Sequence, residues 1–162
     1  MKRRRLNLAA LRSPWVFLPV LLAVGLLVCA VAALSSYVQE VSWRGTLRSY
    51  LPSDAHDVKF GGSTDFLRVE GVGVFASSPA ALDKLVSSGG FTDITDDGAP
   101  DDAMLAELDE LGRRHVGQSL DSLGKVRVYQ KILREVSDIF EDIVVVRAES
   151  QGKAVLYYRY QQ

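Results

Sequence analysis

Residues 71–76, Gly71-Val72-Gly73-Val74-Phe75-Ala76, carry the G-x-G-x-x-A spacing of a dinucleotide-binding turn. Such a turn works by leading directly into a helix, whose N-terminus then meets the pyrophosphate. Here the hexapeptide sits inside a β-like run, and the next helix start is Ser78-Pro79. The expectation is a strand whose glycines mark a bulge or a close backbone approach, with no nucleotide bound. A second candidate is the acidic loop 93–102. Asp93, Thr95, Asp97 and Asp101 stand at positions one, three, five and nine of a calcium-type loop. Position twelve is Met104, where such loops carry a bidentate glutamate. The loop therefore reads as a weak divalent-ion or ligand sensor. Its plainer role is to cap the following helix through Asp101 or Asp102.

Nucleophilic chemistry has few candidates. Ser63 with His56 or His115 and an aspartate would be needed for a hydroxyl relay, but no nucleophile elbow surrounds Ser63. His115 closes the Arg113-Arg114-His115 run, which suits a helix C-terminus. No phosphate-binding P-loop, H-E-x-x-H or C-x-x-C is present, and Cys29 is the sole cysteine. These observations predict a protein that is not an enzyme and holds no cofactor and no metal. Tyr157, Tyr158, Arg159 and Tyr160 end the chain as an aromatic strand, and residues of these types often anchor interfaces. If that strand lies at a sheet edge, it can also receive a partner strand.

The elements that must carry these residues divide the 162-residue chain sharply. Lys2, Arg3, Arg4, Arg5 and Arg12 lie before residue 14, and all 20 acidic residues come at or after Glu40. The net charge of −1 thus conceals a basic start and a tail with 14 basic against 20 acidic residues. From Pro14 to Leu34, 18 of 21 residues are apolar. At 1.5 Å per residue such a helix spans about 31 Å, the thickness of a bilayer's hydrocarbon core. Trp15 at one end and Tyr37 and Trp43 at the other are placed as interfacial rings. The positive-inside rule keeps residues 1–13 in the cytoplasm and puts residues from about Ser35 to Gln162 outside. The expectation is a single-pass protein of the plasma (inner) membrane with an extracytoplasmic domain. A cleaved signal sequence ending near Ala30-Val31-Ala32, or a lipoprotein modified at Cys29, are the rival readings.

Beyond the span, residues 35–51 read as a helical stalk with a Glu40–Arg44 pair, and Pro52 marks its end. Residues 52–162 then form an α+β domain. Its expected sheet is small and antiparallel, built from an N-terminal and a C-terminal hairpin, with two or three helices packed on one face. Strands are expected at 57–60 and 66–76 around a Gly61-Gly62-Ser63-Thr64 turn, and at 142–149 and 154–161 around Ser150 to Lys153. Helices are expected at 79–88 and from Asp101 or Asp102 to about His115. Residues 125–140 fit a helix through Val128, Ile132, Val136 and Ile139, with a strand over 125–132 as the alternative.

This layout, with Leu51-Pro52-Ser53-Asp54-Ala55 before the first strand and Ser78-Pro79-Ala80 opening a helix, resembles small bacterial envelope proteins that hang one α+β domain from an N-terminal anchor. The resemblance implies no particular activity. The reading is a membrane-anchored, non-enzymatic interaction or accessory module. Its expected partners are the lipid bilayer and an envelope protein. Nucleic acid is not expected, because the strongly basic stretch sits against the membrane. An ion or ligand sensor and a small lipoprotein or exported hydrolase stand as alternatives.

Overall fold

A computed structural model describes residues 14–65, 67–95, 100–137 and 139–162. Among them are three α-helices and six strands: α1 (Pro14–Ser49), β1 (His56–Thr64), β2 (Arg68–Ala76), α2 (Pro79–Ser88), β3 (Thr92–Asp93), α3 (Asp102–Val116), β4 (Val126–Val136), β5 (Ile139–Ala148) and β6 (Lys153–Gln161). The fold is α+β. One long apolar helix begins it, and the sheet is antiparallel in the order β1-β2-β6-β5-β4-β3.

The chain forms two compact units, Met1–Tyr37 and Val38–Gln162. In the first, the described helix is apolar, exposed and long enough to cross a membrane. Pro19 lies inside it, which an apolar medium tolerates better than water does. The second unit starts before Pro52, where the sequence places the domain boundary. Trp43 and Leu47 are 1% and 0% exposed, in one core cluster with Phe75, Leu82, Ile143 and Leu156. The expected stalk thus supplies core side chains from residue 43 onward. Its buried stripe runs through Trp43 and Leu47, whereas Val38 and Val41 face outward. The Glu40–Arg44 pair forms at 2.8 Å.

Helices cover both faces of the sheet, not one. The end of α1 and α2 pack on the face carrying Leu156 and Val145, and α3 packs on the face carrying Tyr157 and Val144. A strand covered on both sides reads as a continuous apolar run, and β5 shows this through Ile143–Val146, all fully buried. Residues 126–136 are a strand, not the favoured helix, and pair with β5 through a bulge between Ile132 and Arg134. A spacing of four satisfies both helical and strand periodicity, so Val128, Ile132 and Val136 could not separate the two; β-branched content favours the strand.

The helix ends agree with the expected chemistry. Ser78 caps α2 by accepting from the Ala81 N–H, with Pro79 in the first turn. Asp101 caps α3 by accepting from the Met104 N–H at 2.7 Å, and Gly117 closes α3 in the left-handed conformation.

Candidate functional site

Three central strands bring one charged residue each to the same row. By register, Glu70 of β2 lies opposite Arg159 of β6, and Arg159 lies opposite Asp142 of β5. Strand parity sends all three side chains to the α3 face, in phase with Val72, Tyr157 and Val144. Asp142 is fully buried. It accepts from Arg159 at both oxygens, 3.0 Å from Nε and 2.5 Å from Nη2, and from Gln130 at 2.8 Å. Burial opposes the Arg159 charge, but the hydrogen bonds and charge of Asp142, then of Glu107, outweigh it and raise its pKa.

Helix α3 completes the cluster. Its Glu107 accepts from Arg159 at 3.3 Å and from Arg68 at 2.5 Å. Arg68 also pairs with Glu70 at 2.5 Å. His115 and Arg114 approach Glu70 to 3.7 and 3.9 Å, and Ser63 donates to Glu70 at 3.4 Å. Ser63, Glu70 and His115 are thus gathered, but the carboxylate is the shared member. A nucleophile relay instead needs the imidazole beside the hydroxyl, to take its proton. The guanidinium and carboxylate groups here satisfy one another. The arrangement is an electrostatic brace between sheet and helix, and removing one partner of such a buried pair costs about 3–5 kcal/mol. Sequence reading missed this row. Its signal is a charge in phase with buried apolar positions in each of three strands, Glu70, Asp142 and Arg159.

A polar concavity of about 400 Å³ lies between α2 and the sheet, lined by Asp83, Arg127, Tyr129, Arg147 and Glu149. Its charges are also paired internally. Arg147 pairs with Asp83, and Arg127 reaches Glu149 and Asp93, each at 3.5 Å.

The glycines of 71–76 lie in a strand as expected, but it is side-chain rings and not another backbone that approach them. A Cβ on Gly71 would stand 2.4 Å from the Trp43 ring, and one on Gly73 would stand 2.8 Å from Phe60. They are seats for aromatic rings within a strand. Gly61 and Gly62 lie in β1 and not in a turn. A Cβ there would meet the His115 carbonyl at 2.1 Å and the Glu70 carbonyl at 2.3 Å. The β1–β2 turn comes later, where Asp65 accepts from the Leu67 and Arg68 N–H groups at 2.9 and 2.7 Å.

The described residues of the acidic loop serve local structure. Asp93 accepts from the Thr95 hydroxyl and N–H at 2.6 and 3.0 Å, and these bonds, with Arg127 adding its charge, lower its pKa against a smaller desolvation. Thr95 also accepts from the Val128 N–H at 2.9 Å, and Asp101 caps α3. Asp97 lies outside the described residues. Among the described residues, no group of three His, Cys, Asp or Glu stands close enough to hold a metal.

The aromatic end strand is central, paired with β2 and β5, so it offers no free edge. Tyr157 and Tyr158 are buried in the two cores, and Arg159 is committed to Asp142, so the expected interface reduces to the half-buried Tyr160. Burial raises the pKa of both buried phenols. The charge of Asp109 adds for Tyr157, and a hydrogen bond to Glu141 adds for Tyr158. Of the expected interfacial rings, Tyr37 is exposed, Trp43 is buried against glycine, and the Trp15 side chain lies outside the described residues. So do Lys2, Arg3, Arg4, Arg5 and Arg12. Comparison with family models, with curated proteins and with solved structures yields no match to this chain.

Proposed function

We propose that this chain is a single-pass, membrane-anchored protein whose folded unit works outside the cytoplasm by binding, as a non-enzymatic interaction or accessory module. The observation that supports this most is the first part of α1. From Phe17 to Leu34 its large apolar side chains are exposed, and a helix apolar around its whole circumference is stable in lipid, not in water. The basic residues before it, and the acids that all follow it, favour an outward-facing unit in the inner membrane of a bacterial envelope. The internal pairing of the Glu70, Asp142 and Arg159 row supports a structural use of these charges.

A pair of C-terminal fusions tests this. Alkaline phosphatase fused after Gln162 is expected to be active and a cytoplasmic reporter at the same place dark, with the fusion remaining in the membrane pellet after carbonate extraction. The opposite reporter pattern would overturn the orientation. Release into the supernatant would overturn the anchor.

A further inference from the structure

Helix α2 borders a second cavity, of about 440 Å³, together with the residues that follow α1. Tyr50, Leu51, Pro52 and Leu85 give it half-buried apolar walls, and Lys84 and Lys131 give it charge. All of these residues belong to the unit Val38–Gln162. In the concavity at Arg127 and Arg147, each arginine is answered by a carboxylate. This cavity has two cations and, among the described residues, no acid in its wall. The acids closest along the chain are engaged elsewhere. Asp83 pairs with Arg147, and Asp54 accepts from Ser77 and Ser78.

Two helix ends also meet here. Ser49 closes α1, Ser88 closes α2, and Gly89 follows as the α2 cap. A helix C-terminus carries about −0.5 of a charge, so the two ends offset one ammonium group and leave about one positive charge in surplus. Lys131 is already fixed in place. Its Nζ donates to the Gly89 carbonyl at 2.6 Å and stands 5.2 Å from the centre of the Tyr50 ring. An ammonium carries further N–H donors beyond the one that Gly89 takes. A cavity of this volume holds a small organic molecule, and apolar walls with a few placed polar groups are what such sites use.

We propose that this cavity binds a small aliphatic carboxylate. Lys84 and Lys131 hold the carboxylate, and Leu51, Pro52 and Leu85 cover the chain. One negative charge matches the surplus. An apolar body matches the walls, whose burial supplies the affinity that an exposed ion contact lacks. The site goes beyond the function proposed above and does not depend on the anchor, because none of its residues lies in the apolar run of α1.

The test uses the full chain in phosphatidylcholine nanodiscs, with Cys29→Ser and a trifluoromethyl tag at one of two exposed positions. Ser53→Cys puts the tag on the cavity rim, and Glu110→Cys puts it on α3, across the sheet. Hexanoate is expected to shift the fluorine signal at 53 saturably and to leave that at 110 in place. Hexylammonium and inorganic phosphate should leave both in place. Lys84→Gln should weaken hexanoate about tenfold, with the melting midpoint unchanged because Lys84 is exposed. Lys84→Arg should retain the affinity. The absence of a saturable shift at 53 overturns the proposal, as does a shift shared by 110, which would report partitioning into lipid. An equal response to hexanol would leave the lysines without a role, and equal binding of phosphate would leave the walls without one; either overturns it. So does an affinity that Lys84→Gln leaves unchanged.

Discussion

From Phe17 to Tyr37, helix α1 carries its large apolar side chains exposed; from Val38 to Ser49 it buries Trp43 and Leu47 along one stripe. The two stretches belong to one helix and to two different compact units. Their composition tells them apart most clearly by charge. The first has no charged residue, while the second contains Glu40, Arg44 and Arg48. Those charges give the second stretch a polar side, so that its opposite side can meet a sheet. The receiving sheet is shaped for it. Gly62 and Gly71 leave the space that Trp43 fills.

Cutting the chain at the wrong place tests this contrast most severely. A fragment of residues 52–162 lacks both Trp43 and Leu47. Losing two such side chains costs upwards of about 5 kcal/mol, comparable with the whole stability of a small domain. Residues 38–162 are expected to unfold cooperatively in urea, and residues 52–162 to show no cooperative transition. Equal midpoints would remove the helix end from the core.

Trp43→Ala comes next, with an expected loss of about 3–5 kcal/mol from the fragment 38–162. Gly71→Val attacks the same contact from the sheet side. Together the two should cost less than their sum, with a coupling on the order of 1–3 kcal/mol in a denaturation cycle. Strict additivity would mean that ring and glycine do not touch. Leu26→Arg probes the other stretch. It should disfavour membrane insertion by about 2.5–3.5 kcal/mol and lower the fraction recovered in the membrane, while the unfolding midpoint of the folded unit stays put.

The smallest effect concerns the segment just after the helix. Asp54 accepts from the Ser77 hydroxyl at 2.5 Å and from the Ser78 N–H at 3.1 Å, and these bonds lower its pKa from 3.8 to about 2. A depressed folded pKa means that the contribution is complete above the ordinary carboxylate value and is lost as pH falls toward about 2. Asp54→Asn should therefore lower the thermal midpoint slightly at pH 6, and the difference from the parent should vanish near pH 2. A difference independent of pH would assign the effect to something other than this carboxylate.

Much of this fold can be read from residue order. Ser78-Pro79 and Asp101 announce the starts of α2 and α3, and the apolar run announces the long helix. The role of Trp43 cannot be read so, because an aromatic residue beyond a span suits a membrane interface as well as a core. Its destination depends on glycines at 62 and 71, which local patterning assigns to turns and motifs. Residues 126–136 fail for a different reason. An offset of four serves both periodicities, and the pairing that decides between them lies in β5. The charged row of Glu70, Arg159 and Asp142 comes together only through strand order, which no local signal encodes.

Trp43 also offers the sharpest probe of where the helix ends. In a Trp15→Phe background it is the sole tryptophan of the chain. In vesicles containing brominated lipid, a core position predicts short-wavelength emission that the lipid does not quench and that shifts to the red only as the folded unit unfolds in urea. Quenching by the lipid, or emission already red-shifted in the native protein, would place Trp43 at the membrane interface or in water. Either result would contradict a helix that ends inside the domain's core.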